Sequence, residues 1–390
     1  MSEQVKKIIG KVFLELADTL ATGSYGKKPN IGITALGSEH GEDNAINGAV
    51  KALKSNIDVT VIGTKAAEGL KLAKVNSEDE SHKMMEELLN SGEIDAAVTM
   101  HYPFPIGVST VGRVVTPGTG KEMFIATTTG TSSTDRVEAM IKNAIYGIIT
   151  AKACGIKNPT VGILNIDGAR QVEIALKKLQ ENGYDINFTE SKRSDGGVVM
   201  RGNDLLMASA DVMVMDSLTG NIMMKMFSSY TTGGSYESLG YGYGPGIGEG
   251  FDKIIMILSR ASGEPVVEGA IKFAADLVRG NLINVAKEEF AKVKKAGLDS
   301  ILKSLKPAKK EASTDEEVVA PAKEVVTGQI SGIEIMDLED AVKALWKKSI
   351  YAESGMGCTG PIVLVNEAKL KDAVNVLIEA GFVSKEKADC

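Results

Sequence analysis

Apolar positions recur along this chain in two rhythms. Between Val5 and Leu20 they fall at Ile8, Ile9, Val12, Phe13, Leu16 and Leu20, a spacing that predicts an amphipathic helix. Short solid apolar runs then alternate with helical segments. The runs predict strands at Ile31 to Leu36, Val59 to Ile62, Ile94 to Met100, Met123 to Thr127, Val161 to Asn165, Val212 to Met215 and Ile254 to Leu258. Helical periodicity marks Ala45 to Leu53, Ser81 to Leu89, Asp135 to Cys154, Gln171 to Glu181 and Glu264 to Arg279. Strand and helix in regular alternation predict an α/β body.

The rhythm stops near residue 305. From Lys306 to Gln329 the chain carries Pro307, Lys309-Lys-Glu311, Asp315-Glu-Glu317 and Ala320-Pro-Ala322 with no apolar face, the composition of a linker. A tether of this length spans roughly 25 to 30 Å end to end. Beyond it an internal repeat appears. Ile333-Glu-Ile precedes Leu338-Glu-Asp-Ala-Val-Lys-Ala-Leu345, and Ile362-Val-Leu-Val precedes Leu370-Lys-Asp-Ala-Val-Asn-Val-Leu377. The pattern predicts a body over 1–305, a linker over 306–330 and a small βαβα module over 331–390, too small to be more than marginally stable alone.

With 390 residues there is room for two or three domains, and 42 glycines suit many tight β/α turns. A net charge of −7 and a pI near 5.3 leave no basic stripe for nucleic acid, although phosphate groups of small molecules remain suitable ligands. The first residues, Met-Ser-Glu-Gln-Val-Lys-Lys, lack the apolar run of a signal peptide, and no apolar segment is long enough to cross a bilayer. A reduced, cytoplasmic protein is expected. Cys154, Cys358 and Cys390 are widely spaced, as are His40, His82 and His101, so neither a metal nor another cofactor is expected.

Three places carry candidate chemistry. Ser354-Gly-Met-Gly-Cys358-Thr-Gly-Pro361 sets one cysteine among glycines, in a loop where another molecule approaches the sulfur closely. Such a thiol suits a nucleophile or covalent carrier, or is a small apolar side chain in a turn. Its activation calls for a cation or a helix N-terminus, and the helix after Ile362 to Val365 lies too far on. The second place is His101, either a site residue at a strand end where open α/β sheets bind ligands or an ordinary polar loop residue. The third is Asp216-Ser-Leu-Thr-Gly-Asn221, a strand end and glycine turn followed by a helix that Asn221 opens and that carries Lys225 one turn in, an arrangement suited to phosphate. The hydroxyl-rich Thr128 to Thr134 reads instead as a helix cap. Cys154, at the end of an apolar helix, is expected to be buried and inert.

The segment Asp216-Ser-Leu-Thr-Gly-Asn-Ile-Met-Met-Lys225 resembles the Asp-Gly-Phe-x-Gly-Asn-x-x-x-Lys motif of the PlsX family of phosphate acyltransferases. Gly162-Ile-Leu-Asn-Ile166 resembles that family's Gly-Leu-Leu-Asn-x-Gly strand, and Ala35-Leu-Gly-Ser-Glu39 its N-terminal Ala-Met-Gly-Gly-Asp turn. Tyr241-Gly-Tyr-Gly-Pro-Gly-Ile-Gly-Glu-Gly250 is similar to its Gly-Gly-Ala-Pro-Leu-Leu-Gly turn. Ser38, Glu39, Ser217 and Leu218 depart from the pattern, and His101 to Gly107 replaces a Gly-Asn-Thr-Gly-Ala loop. The resemblance implies a PlsX-like, isocitrate-dehydrogenase-like αβα layered body. It also implies phosphate or acyl binding by Asp216, Thr219, Gly220, Asn221, Lys225 and Glu39.

Body, linker and Cys358 module together resemble the family of protein C alpha subunits of glycine, sarcosine and betaine reductase complexes. That resemblance implies an acetyl thioester on Cys358, attacked by inorganic phosphate to release acetyl phosphate. It further implies a beta subunit of protein C, and a selenoprotein carrying a carboxymethyl-selenoether, as partners in an oligomeric assembly. A stand-alone acyltransferase fed by acyl carrier protein, a dehydrogenase of the related fold and a redox-sensing scaffold remain alternatives.

Overall fold

The computed structural model of the protein describes Gly10, Phe13 and residues 28–192, 196–305, 318–333, 337–357 and 360–383. Of the helix predicted over Val5 to Leu20, only Gly10 and Phe13 fall among these, both helical. The chain divides into two compact units, Met1–Lys306 and Pro307–Cys390.

The first unit runs β1 (Asn30–Thr34), α1 (Glu42–Ala52), β2 (Asp58–Gly63), β3 (Lys71–Lys74), α2 (Glu78–Ser91), β4 (Ala96–Thr99), β5 (Val108–Val115), β6 (Glu122–Thr131), α3 (Arg136–Ala153) and β7 (Thr160–Leu164). It continues through α4 (Ala169–Glu181), β8 (Asn187–Phe188), β9 (Val199–Met200), α5 (Gly202–Leu206), β10 (Val212–Val214), α6 (Ser217–Ser229), β11 (Gly244–Ile247), β12 (Ile255–Ile257), α7 (Glu264–Arg279), α8 (Leu282–Lys295) and α9 (Leu298–Leu305). Its strands form one sheet in the order β3-β2-β1-β4-β12-β11-β5-β6-β10-β7-β8, with β9 also on β7.

Alternate residues of the central strands enter different cores. Val212 and Val214 pack with Ile31, Ile145 and Phe273, whereas Met213 and Met215 pack with Met123 and Phe227. The period of two in a strand thus explains the solid apolar runs: both faces are covered, giving three αβα layers.

Strand direction decides where ligands can meet the sheet. One half, β3-β2-β1-β4-β12, is parallel throughout, and so is the other, formed by β6, β10, β7, β8 and β9. Three antiparallel steps separate them, β12 to β11, β11 to β5 and β5 to β6. An odd number of reversals points the halves in opposite directions. The carboxyl ends of β1, β4 and β12 therefore form one rim, and those of β6, β7 and β10 form the other.

The run Tyr241 to Gly250, similar in sequence to a family turn, contains the buried strand β11. At Gly244 φ is +87°, and an added Cβ would stand 1.7 Å from the Val111 carbonyl oxygen, so only glycine lets the two backbones meet.

The second unit carries β13 (Gly328–Ser331), α10 (Leu338–Lys347), β14 (Ala352–Gly357), β15 (Gly360–Val365) and α11 (Leu370–Glu379). Its three-stranded sheet has the order β13-β15-β14, all antiparallel. Both predicted helices are present, with one strand more than a βαβα pattern holds. The first strand lies upstream of Ile333, inside the predicted linker, because Gly328 and Ile330 point to the core while Gln329 and Ser331 face water. Small and polar residues hide that alternation in sequence. Residues 306–317 of the predicted linker lie outside the described residues. Among the described residues, no helix is long and apolar enough to cross a membrane.

Candidate functional site

The predicted site residues divide between the two rims. Asp216 follows β10, whereas Glu39 and His101 follow β1 and β4 at the opposite rim. Helix α6 joins them. It opens at Ser217, four residues earlier than the motif suggests, with Asp216 as its N-cap. Lys225 is its ninth residue, so about 13 Å of helix axis separates it from Asp216, too far for both to hold one phosphate.

At the Asp216 rim the carboxylate accepts the Thr219 backbone N–H (2.9 Å), the Thr219 hydroxyl (2.8 Å) and Arg136 (2.9 Å). Arg136 reaches Asp167 with its other nitrogen, at 3.2 Å. Burial raises the Asp216 carboxyl, yet the Thr219 bonds and Arg136 outweigh it and hold it below the usual carboxylate range. The open end of α6 is thus already occupied by an anionic cap. Gly220 packs so closely on β6 that a Cβ would lie 1.7 Å from the Thr127 carbonyl oxygen, and the Asn221 amide donates to the Thr128 carbonyl (3.1 Å). Thr219, Gly220 and Asn221 seat the helix on the sheet.

Lys225 belongs with the other rim. Its ammonium, on a side chain 56% exposed, lies 3.7 Å from Glu237 and 5.6 Å from the Tyr243 ring centre. Glu237, only 4% exposed, accepts the Tyr243 hydroxyl (3.0 Å) and the Ser262 hydroxyl (2.9 Å). Burial, with Glu237 beside it, drives the Tyr243 hydroxyl well above the ordinary tyrosine range.

Two residues before Ser262, beyond the end of β12, stands Arg260. Its guanidinium forks onto Glu78 (3.1 and 2.8 Å) and donates to the Gly37 carbonyl (3.1 Å). The hydrogen bond from Arg260 is the largest influence holding Glu78 below its usual value, and the charges of His82 and His101 add to it. Those imidazoles meet edge to face at 6.3 Å. His40 Nε2 contacts the Ala261 carbonyl at 3.2 Å, and the Glu39 N–H donates to the Arg260 carbonyl at 2.9 Å.

The three histidines, far apart in sequence, therefore gather on one rim with Arg260, linked through Ser262 and Glu237 to Lys225. Among the described residues no three His, Cys, Asp or Glu side chains are placed to hold a metal ion. What the rim offers is an arginine, an exposed lysine and three imidazoles, a set suited to a mobile oxyanion. Sequence reading passed over Arg260, Glu78, His40, His82 and Glu237. The available signal was Arg260, a charged residue just past the buried strand β12.

Elsewhere α3 is capped by Asp135, which accepts the Glu138 N–H (2.7 Å), rather than by the hydroxyls of Thr128 to Thr134, the first four of which belong to β6. Burial pushes the half-buried Cys154 thiol up to about 12, which leaves it unreactive near neutrality.

Cys358 lies outside the described residues, as does Thr359. The strands on either side are described: β14 and β15 pair from Ala352↔Val365 to Gly357↔Gly360, so Ser354 to Gly357 belongs to a strand. The Ser354 hydroxyl donates to Glu339 (3.2 Å) in the first turn of α10. A helix start thus faces this hairpin from upstream in the chain, where sequence reading looked downstream.

The sequence profile of the family described as "Fatty acid synthesis protein" matches residues 30–364. The chain is 64% identical over 382 residues to the glycine/sarcosine/betaine reductase complex component C subunit alpha of Peptoclostridium acidaminophilum, covering 97% of this chain and 99% of that one. It is 27% identical over 237 residues to a phosphate acyltransferase of Geobacillus sp. (strain WCH70), covering 50% of this chain and 70% of the relative. Among solved structures, a branched-chain phosphotransacylase from Enterococcus faecalis V583 superposes with a TM-score of 0.45 at 16% identity, over 64% of this chain and 99% of that one, a likeness too weak to carry an argument. With a family profile spanning most of its length, this chain belongs to the fatty acid synthesis protein family.

Proposed function

We propose that this chain is an acyltransferase subunit of a glycine, sarcosine or betaine reductase complex, in which an acetyl thioester on Cys358 is attacked by inorganic phosphate. The observation that carries the reading is the match to component C subunit alpha along nearly the whole of both chains. The phosphate acyltransferase relative supports the reaction class.

In the proposed step a phosphate oxygen adds to the thioester carbonyl, the C–S bond breaks and a C–O bond remains. Acetyl phosphate leaves and Cys358 takes back the electron pair as thiolate. Phosphate is the co-substrate and no cofactor enters. Lys225, Arg260 and the imidazoles of His40, His82 and His101 receive the phosphate, with Glu39 beside Arg260. Asp216, Thr219, Gly220 and Asn221 position α6 and so Lys225. The beta subunit of protein C and a selenoprotein bearing a carboxymethyl-selenoether are the partners: a partner thiol reductively cleaves the C–Se bond, leaving a selenenyl sulfide, and the acetyl group so formed joins Cys358 as a thioester with loss of water. The setting is cytoplasmic.

Running the step backwards tests it. The full chain, with its partner subunit, is incubated with acetyl-labelled acetyl phosphate, and peptides are searched for hydroxylamine-sensitive label. Label on the Cys358 peptide, discharged by phosphate or arsenate and lost in Cys358→Ser, is expected. An unlabelled wild-type chain, alone and with its partner, sinks the acetyl-carrier role. Turnover of acyl carrier protein thioesters by Cys358→Ser would instead favour the stand-alone acyltransferase.

A further inference from the structure

Edge strands in this molecule are treated unequally. In the sheet of the body, the edge strand β3 carries a lysine at each end of its four residues, and β8 and β9 are two residues long. Charge and brevity of that kind keep an open edge from pairing with another chain. β14 has neither. It is six residues long, forms one edge of the second unit's sheet, and from Ser354 to Gly357 contains no charged residue and no proline.

That edge is closed at its start and open toward Cys358. In an antiparallel pair alternate residues bond to the partner strand, and the residues between them turn their backbone groups away from it. The Ala352 carbonyl points away from β15 and accepts the Trp346 indole N–H at 3.0 Å. Alternation then turns the N–H and C=O of Ser354 and Met356 outward as well, and among the described residues nothing donates to them or accepts from them. Cys358 is the residue that follows β14 in the chain.

Room and charge say what fits there. Gly355 is not left-handed, and a Cβ at that position would meet the movable end of Leu364 at 3.2 Å, with no backbone atom in its way. The packing of the module does not require this glycine, whereas an added Cβ at Gly220 or Gly244 in the body would meet a carbonyl oxygen at 1.7 Å. A strand glycine that its own fold does not need suits the close approach of another backbone. The flanking charges are acidic. Glu353 lies in the strand, and Glu339 and Asp340 lie in the first turn of α10, where Glu339 accepts the Ser354 hydroxyl. One cation, Lys323, comes within 3.5 Å of Glu353, on a side chain 80% exposed, and leaves the balance negative.

We infer that the open edge of β14 is a docking site, where the protein that brings the acyl group to Cys358 adds an extended segment as a fourth strand. The added segment bonds to Ser354 and Met356 and carries lysine or arginine toward Glu353 and Glu339. Strand addition draws its affinity from main-chain hydrogen bonds, and here it lines up the partner's backbone with the stretch that leads into the thiol. The choice of occupant rests on the proposed acyl-carrier role of Cys358; the open edge does not.

Hydrogen exchange read at single residues tests this on the full wild-type chain, alone and with the selenoprotein bearing its carboxymethyl-selenoether. The Ser354 and Met356 amides are expected to slow at least tenfold on binding, while the Gly355 amide, already turned toward β15, stays as it was. Met356→Pro removes an outward N–H and takes no bond from β15, so it is expected to weaken association at least tenfold, with Met356→Ala within about twofold of wild type. The inference falls if neither amide slows, if only the beta subunit of protein C slows them, or if Met356→Pro binds as tightly as wild type with the exchange of β15 unchanged. Should the proline variant lose its native exchange pattern, the wild-type result decides. Docking is read by association and not by transfer, so an edge that is protected beside a Cys358 that takes no acetyl label would overturn the acyl-carrier reading alone.

Discussion

Asp216 shows how one residue's role changes once its partners are known. In the motif it resembles a phosphate ligand, whereas in the fold its oxygens are spent on Thr219 and Arg136. Removing the cap with Asp216→Ala is expected to cost about 1 to 2 kcal/mol in urea unfolding. Asp216→Asn, which can still cap, should cost less. Both variants also change the pH dependence of stability. A carboxyl held low in the folded state stabilises fully above its unfolded value, near 4, and loses that contribution as pH falls through the lower folded value. The acid limb of the stability curve should therefore flatten in both variants below about pH 4.

Arg260 belongs to the same scale and predicts the reverse separation. Arg260 and Glu78 are each 45% exposed, and pairs so solvated contribute little, typically under about 1 kcal/mol. If phosphate lands here, Arg260→Ala should leave the melting temperature nearly unchanged. It should raise by roughly tenfold or more the phosphate concentration needed to discharge the Cys358 thioester. An unchanged phosphate dependence would remove Arg260 from the proposed site.

Among the elements α6 matters most, because it crosses the sheet from one rim to the other. Its seat is Gly220, where an added methyl meets the Thr127 carbonyl oxygen at 1.7 Å with no flexible side chain to yield. Gly220→Ala should cost about 3 kcal/mol by lifting the helix off β6. Because Lys225 travels with the helix, transfer should fall more than stability predicts; Ser229→Ala on the same helix should change neither much. The hairpin of β14 and β15 makes the same point in the other unit: the glycine-rich stretch read as a loop pairs along its length up to Gly357 and Gly360.

For the whole molecule, the two units, divided at Lys306 and Pro307, have separate apolar cores. Calorimetry of the full chain should show two transitions. The smaller should arise from the C-terminal unit, whose few core residues leave little margin. Val363→Ala in that core should shift this transition alone, by about 2 kcal/mol. A single cooperative transition, shifted as a whole, would mean that the units share their stability.

The sequence by itself determined seven of the body's twelve described strands and the helices α1 to α4, α6 and α7, because those strands are solidly buried and those helices bury one face, but not β3, β5, β8, β9, α5, α8 or α9. Burial writes periodicity into the chain. It also carried the acyltransferase resemblance, through local motifs such as Asp216 to Lys225, and set the Cys358 stretch apart from the body. β11 escaped notice because glycines, chosen for close approach to Val111, carry no apolar signal, and β13 because its alternation uses small and polar residues. Only the tertiary structure decided which candidates meet. Three antiparallel steps in the middle of the sheet reverse one half against the other, sending Asp216 to one rim and Glu39 and His101 to the opposite one. The same reversal leaves α6 to bring Lys225 back across, toward Arg260 and the histidines. Strand direction depends on pairings between residues more than a hundred positions apart, such as Gly246 with Thr110 and Ile255 with Ala97, and no local pattern records it.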